Sequence, residues 1–424
     1  MRLKVLLVAA CLVPPALSWA QPVPPGAAAP AGATVVTLPQ ALEAARDNID
    51  VSLARRAVDA ARADVRAADH VPAPVLSGKA SEIDLQNGVG GGSWLGSKRI
   101  DKSVGLDWTL ERGNKRELRT RAAQRGAEAA QLDLAEVVVR QQLAVSAAFY
   151  DLLAAQERLE HVSGIERSAA QLAEASQRRQ RAGDISQQES LRTDIEARRA
   201  QADLRVVQAD RQRAAIVLSQ LTGLRGELSA QAGWPQLGAA VPAAPDIDQR
   251  ADVRAALQRV QAAQAGFDNS LALRRNDVTI GASFDHYPGT SRRLLELRAQ
   301  MPLAGVFGSY DYEGEIARAR AALAQAQDQL EKTRRAAAAE TGRLAEDLRS
   351  ASARATDYDQ AIVPRARQVA SMAELAYSRG ALPLVDLIDA RRTLRNVLLD
   401  EVAARADFAR AWTAWQLRQS GATP

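Results

Sequence analysis

The chain has 424 residues, 47 % of them hydrophobic but only 4 % aromatic, with 55 basic against 50 acidic side chains and a formal charge of +5. Alanine supplies much of the apolar content and buries little area per residue, which argues against a thick globular core and for long helices packed closely side by side. Charges of both signs are interspersed, so no nucleic-acid surface stands out, and the single cysteine, Cys11, excludes a disulfide framework.

Arg2 and Lys4 precede an apolar run from Val5 to Val13, and Ser18-Trp19-Ala20 has small-x-small spacing, so residues 1–20 read as a secretory signal peptide. The run is too short to span a bilayer. Cys11 sits in a lipoprotein-like "VAAC", though that leader is unusually short for lipidation. Loss of Arg2 and Lys4 takes two charges from +5 and leaves +3. Residues 21–36, beginning QPVPPGAAAPAG, read as a flexible Pro/Ala tether.

Residues 37–230 form a first structural unit. Thr37 and Gln40 have capping-box spacing, and a helix is predicted from Leu38 to Ala68. Two strands follow, at about 75–85 and 100–110; the second places Val104, Leu106, Trp108 and Leu110 on every second position, and "QNGVGGGSWLGS" between them is turn-rich. From about Asn114 a helix of roughly 50 residues, about 75 Å long, is predicted to end near Gly164. A shorter helix, a turn at Gly183 and a last helix to Leu221-Thr222-Gly223 complete the unit. Residues 231–248, "QAGWPQLGAAVPAAPDID", read as a linker.

Residues 249–421 repeat the plan: a helix from Ala251 to Leu273, strands at about 277–287 and 294–303, a long helix from Gly314 to Val363 ending at Pro364, a shorter helix, a turn at Gly380 and a final helix stopping near Gly421. A period of about 200 residues is a duplication rather than a solenoid. Each strand has about the length that a tilted strand needs to cross a bilayer. Such strands could also be half-buried against helices in a soluble domain. Export, and helices too long for a compact domain, favour the membrane. Four strands cannot close a barrel and open edges are not tolerated in lipid, so several copies must share one, with eight strands from two copies or twelve from three as the smallest options. Strand running directly into helix then implies one tube, a β-barrel in lipid continued as an α-barrel in water.

These features together resemble the bacterial outer-membrane efflux protein family, the TolC-like channels. The carriers are the duplicated layout and, in order, "TLPQALEAARDNIDVSLARRAV", "ERGNKRELRTRAAQRGAEAAQLDLA", "FYDLLAAQERL", "GEIARARAALAQAQDQLE" and "YSRGALPLVDLIDARRTL", spanning Thr37 to Gly421. "DNID" at Asp47–Asp50 departs from the family's usual Asn-Pro. The resemblance implies a mainly α fold with a small β part: a homotrimer with a twelve-stranded outer-membrane β-barrel, four strands per protomer, continuous with a periplasmic α-barrel of about twelve helices interrupted near Gly164 and Pro364. It implies a passive exit duct in the outer membrane, with a periplasmic adaptor (a membrane fusion protein) and an inner-membrane pump as partners. "GNKR" at Gly113–Arg116 looks closest to partners of heavy-metal cation pumps of the resistance-nodulation-division type.

The resemblance also assigns roles. Asp386 and Asp389, three apart on one helix face, match acidic positions lining the periplasmic mouth, where threefold symmetry makes each a ring that constricts the pore and attracts cations. The plain alternative is two solvated acids in a first helical turn. Tyr377 matches a gate-latch tyrosine and Glu189 its acidic partner, while Leu382 occupies the family's basic latch position. Gly183 and Gly380 serve tip-turn geometry and, by the resemblance, adaptor contact. Lys115, Arg116 and Arg119 read as a solvated helix start, with lipid head groups as the alternative; Trp94 and Trp108 read as interfacial, Trp412 and Trp415 as packing residues.

No cofactor, resident metal or catalytic site is expected. His70, His161 and His286 are far apart, and in "GGSWLGSKR" Ser97 precedes Lys98, against the P-loop order. The rival readings are a periplasmic adaptor, which would lack duplicated strand pairs, and a soluble coiled-coil scaffold, which would need neither signal peptide nor alternating strands.

Overall fold

The computed structural model describes residues 34–91, 99–238, 243–244, 246–303 and 310–420. The signal peptide with Cys11, Trp94, Ser97, Lys98 and Gly421 lie outside the described residues.

The end of the expected tether is a strand, β1 (Thr34–Val36). Thr37 then caps α1 (Leu38–Ala44) through the full reciprocal capping box with Gln40. The single helix expected to Ala68 is instead broken. A 3₁₀ turn at Ala45–Asp47 leads to Asn48 in extended backbone, and Asn48 caps α2 (Ile49–Ala68) by accepting from the Asp50 N–H at 2.9 Å. Its amide also donates to the Leu221 carbonyl at 2.8 Å. The break therefore ties this helix start to the far end of the first half.

The strands β2 (Val75–Ser81) and β3 (Asp101–Leu110) pair antiparallel. Next, α3 (Lys115–Arg181) runs for 67 residues, about 100 Å, without interruption at Gly164. A glycine inside a helix costs only about 1 kcal/mol, too little to break one whose flanking turns are Ala, Leu and Arg. The antiparallel α4 (Gln187–Thr222) returns along it, stopped by Gly223 in left-handed backbone. The short β4 (Leu228–Ala230) pairs parallel to β1, and Phe149, Leu152, Leu218 and Leu228 are buried around this pair.

The second half opens with α5 (Ala251–Ala272), then β5 (Val278–Tyr287) and β6 (Ser291–Gln300). β6 begins and ends three residues earlier than the run expected at 294–303. Pro302, which has no N–H to donate, lies just beyond it. α6 (Glu313–Asp357) passes into a π-helical turn at Tyr358–Ile362 and then into α7 (Val363–Ser378). Pro364 explains the turn: its ring crowds the carbonyl four residues back, and its nitrogen leaves that carbonyl without a donor. The helix widens there rather than ending. α8 (Leu384–Ser420) completes the chain. The order helix, strand pair, long helix, returning helix thus occurs twice.

The four long strands form one sheet in the order β2-β3-β5-β6, so the hairpin of each half meets its counterpart at β3–β5. Among the described residues, β2 and β6 have no partner on their outer edges. No helix among the described residues is long and apolar enough to cross a membrane.

Candidate functional site

Alternation sorts the sheet into two chemically different faces. One carries Leu76, Val104, Leu106, Trp108, Ile280, Phe284, Leu295 and Leu297, with Leu76, Leu295 and Leu297 about three-quarters exposed at 74 %, 73 % and 75 %. The other carries Ser77, Lys79, Ser103, Asp107, Thr109, Thr279, Ser283, Asp285, Glu296 and Arg298 in facing register positions. On that face Arg298 donates to Asp107 at 2.6 Å, and the Thr109 and Thr279 hydroxyls bond at 2.9 Å. The Arg298–Asp107 pair passes directly over Gly281, where a Cβ would stand 2.1 Å from Asp107 Oδ1. Large aliphatic side chains outside and hydrogen-bonded charge inside invert the pattern of a sheet covered by helices.

Sheet and helices are joined by a polar collar. Gly113 and Asn114 both adopt left-handed backbone, at φ 79° and 58°, and turn the chain from β3 into α3. Tyr312, at φ 68°, occupies the same place before α6. Lys115 is buried, and its ammonium donates to the Arg275 carbonyl and to Asp277 Oδ1, each at 2.8 Å. Arg116 pairs with Asp69 at 2.8 Å; Arg119 binds Glu111 and donates to the Ala68 and His70 carbonyls. The solvated helix start expected for these three cations holds for the exposed Arg116 and is corrected for the buried Lys115 and the half-buried Arg119. They fasten the end of α2 and the exit of α5 to the strand–helix junction.

A buried ionic relay ties the halves together further along the helices. Arg250, with its side chain 5 % exposed, binds Asp252 at 2.9 Å and Glu340 at 2.7 Å. Arg418 binds Glu340 at 3.0 Å and Glu136 at 2.9 Å. Burial alone would push the Asp252 and Glu340 carboxyls up, but the hydrogen bonds and charge of Arg250, with Arg418 adding to them, hold both below the usual carboxylate range.

At the other end of the helices the two glycine turns lie side by side. Asp184 N–H bonds to Arg179 O and Gly183 N–H to Gln180 O; Ala381 N–H bonds to Ala376 O and Gly380 N–H to Tyr377 O. This is the same double C-terminal motif twice, with Gly183 at φ 85° and Gly380 at φ 71°. Asp386 and Asp389 are exposed on one face of the first turns of α8, while the neighbouring Leu384 and Leu387 are buried.

Tyr377 and Glu189 do not meet within the protomer. Glu189 closes the capping box of α4, its carboxylate accepting from the Ser186 N–H at 3.1 Å. The Tyr377 hydroxyl instead accepts from Arg179 at 3.4 Å, across the two tips. Leu382 packs in the cluster of Ala373, Leu387 and Tyr377. Above the tips, α8 presents three arginines: Arg391 to Glu374 on α7, Arg392 to both Glu196 oxygens on α4, and Arg395 to Asp203 on α4 at 2.9 Å. Glu196 raises the Arg392 pKa further, and Asp389 adds to it. A cleft of about 470 Å³ beside these pairs is lined by Gly164, Leu172, Thr193 and Ile388. Sequence reasoning missed Arg179, Arg392 and Arg395 as cross-tip fasteners, because their partners lie almost 200 positions away.

Residues 39–224 match the family described as outer membrane efflux protein. The cobalt-zinc-cadmium resistance protein CzcC of Cupriavidus metallidurans is 27 % identical over 369 residues, covering 85 % of this chain and 84 % of that protein. Among solved structures, the outer membrane protein VceC of Vibrio cholerae aligns at a TM-score of 0.72 and 19 % identity, over 91 % of this chain and 95 % of that one. The Campylobacter jejuni CmeC outer membrane channel aligns at 0.73 and 14 % identity, over 91 % and 86 %.

Proposed function

We propose that this chain, which matches the outer membrane efflux protein family over residues 39–224, is the outer-membrane exit duct of a tripartite efflux system, assembled as a homotrimer. The observation that carries the proposal is the four-stranded sheet: apolar outside, polar inside, unpaired at β2 and β6, and running directly into 67- and 45-residue helices. Three copies joined β6 to β2 give twelve strands, satisfy every edge and point the apolar face at lipid. The helices then continue the bore into the periplasm.

The duct is passive. A periplasmic adaptor docks at the Gly183 and Gly380 tips, and an inner-membrane pump of the resistance-nodulation-division type supplies the work. Metal cations are its cargo, a reading supported by the similarity to a cobalt-zinc-cadmium resistance protein. Asp386 and Asp389 form acidic rings at the mouth, which draw cations and narrow the pore. Within each protomer the Arg179–Tyr377 bond fastens one tip to the other, and Glu189 of one copy is the proposed partner of Tyr377 of the next.

Membrane fractionation, a heat-sensitive trimer band on gels and conductance in planar bilayers test the duct. Replacing Asp386 and Asp389 with Ala should lower cation selectivity while leaving the trimer intact. Unchanged selectivity would remove these residues from the pore, and a protein that stays monomeric and dissolves without detergent would remove the duct itself.

A further inference from the structure

The far end of the sheet carries a feature that a duct does not require. Register places Asp285 opposite Leu294 but Tyr287 opposite Ser291, so His286 alone faces two residues, Arg292 and Arg293. Such a bulge re-aims side chains, and it turns two consecutive arginines toward the face that His286 occupies instead of splitting them between faces. His286 holds the bulge in place, its Nδ1–H donating to the Arg292 carbonyl at 2.9 Å. On the neighbouring strand Lys102 stands directly opposite His286. That face is the apolar one, because Phe284 and Leu295 pair on it one step nearer the helices.

An apolar belt thus ends, on the side away from the helices, in a rim formed by Arg292 and Arg293, while the Lys102 Nζ and the His286 Nε2 are themselves buried. Arg292 and Arg293 are exposed, and neither guanidinium makes an ion pair or side-chain hydrogen bond among the described residues. Arg250, Arg298, Arg392 and Arg418, by contrast, each sit on a carboxylate. Two arginines left open just beyond a lipid-facing belt lie at head-group depth.

We propose that this rim binds the phosphate groups of anionic lipids in the leaflet at the hairpin tips. The proposal rests on the membrane reading of the sheet. Planar guanidinium forks grip phosphate at two oxygens, and the belt fixes the depth at which they meet it. A threefold assembly would repeat the rim three times around the barrel.

The test uses the full-length protein in detergent, titrated with diphosphoryl lipid A and followed by native mass spectrometry. Phosphatidylethanolamine is the lipid control and inositol hexakisphosphate the free-phosphate arm. Wild type should retain lipid A over phosphatidylethanolamine. Arg292→Gln with Arg293→Gln should weaken lipid A binding about 30-fold, at about one charge's contribution each. Arg292→Lys with Arg293→Lys should recover much of it, and the trimer band and conductance should not change. Equal lipid A retention in wild type and the Gln variant, or binding of the free phosphate as tight as that of the lipid, overturns the rim while leaving the duct standing. A protein that never partitions into membranes overturns both.

Discussion

Glu340 is the joint of the buried relay, and its loss has a size that the geometry sets. Glu340→Gln keeps the shape but removes the charge that Arg250 meets at 2.7 Å and Arg418 at 3.0 Å. Stranding a buried cation costs about 3–5 kcal/mol. Here Arg250 keeps Asp252, Arg418 keeps Glu136, and the Glu340 side chain is 28 % exposed, so about 2–3 kcal/mol is expected. The pH dependence follows from the lowered folded-state pKa. A depressed carboxylate contributes stability above its unfolded value of about 4.3, and that contribution is lost as pH falls through the folded value. Thermal melts followed by far-ultraviolet circular dichroism in detergent should therefore show the variant melting a few degrees lower at pH 7. The gap should close towards pH 3. Equal melting points at pH 7, or a gap that persists at pH 3, would refute the relay as a source of stability.

Gly183→Val and Gly380→Val each force a side chain into left-handed backbone, at about 1–2 kcal/mol, and should speed proteolytic cleavage at the tips; unchanged cleavage would show that the turns adapt. Gly281→Ala sets a methyl against Asp107 and should displace the Arg298–Asp107 pair, read as altered single-channel conductance with the membrane fraction unchanged. Leu295→Asp with Leu297→Asp puts two charges on the belt and should deplete the protein from outer-membrane fractions, whereas normal insertion would mean that this face does not meet lipid.

Period-two alternation made β3 and β5 legible in the sequence, since Val104 to Leu110 and Ile280 to Phe284 each declare a two-faced strand. The sequence points to a later β6 than the fold contains because Met301 and Leu303 continue its apolar rhythm, while the Arg292–Arg293 bulge interrupts it at the start. Gly164 looks locally like a stop because glycine is permissive, yet packing along 67 residues outweighs one residue's propensity. β1 and β4, three residues each and paired across nearly the length of the first half, have no local signature. The tip was legible only in part. The glycine turns follow from chain-local rules, whereas Arg179 with Tyr377 and Arg392 with Glu196 are pairings that no window of sequence contains.

Duplication produced two arms of one plan, and a single proline makes them mechanically unequal. The first long arm is an unbroken α3, laid against α4 and closed around Phe149, Leu152 and Leu218. The second passes through the π-helical turn at Tyr358–Ile362, where the regular hydrogen-bond ladder is already interrupted. Bending costs least where a ladder bond is missing, so opening of the proposed gate is expected to move α7 and the α8 segment beside it. What resists that swing lies on α8 and across the tips: Arg392 on Glu196, Arg395 on Asp203, and Arg179 on Tyr377. Most of these groups are partly solvated, and partly exposed ion pairs are weak one by one. A closure made of several weak fasteners beside a built-in hinge is the arrangement that the proposed docking of an adaptor would require, and the buried relay at Arg250, Glu340 and Arg418 ties the body of the arms together independently of the tips.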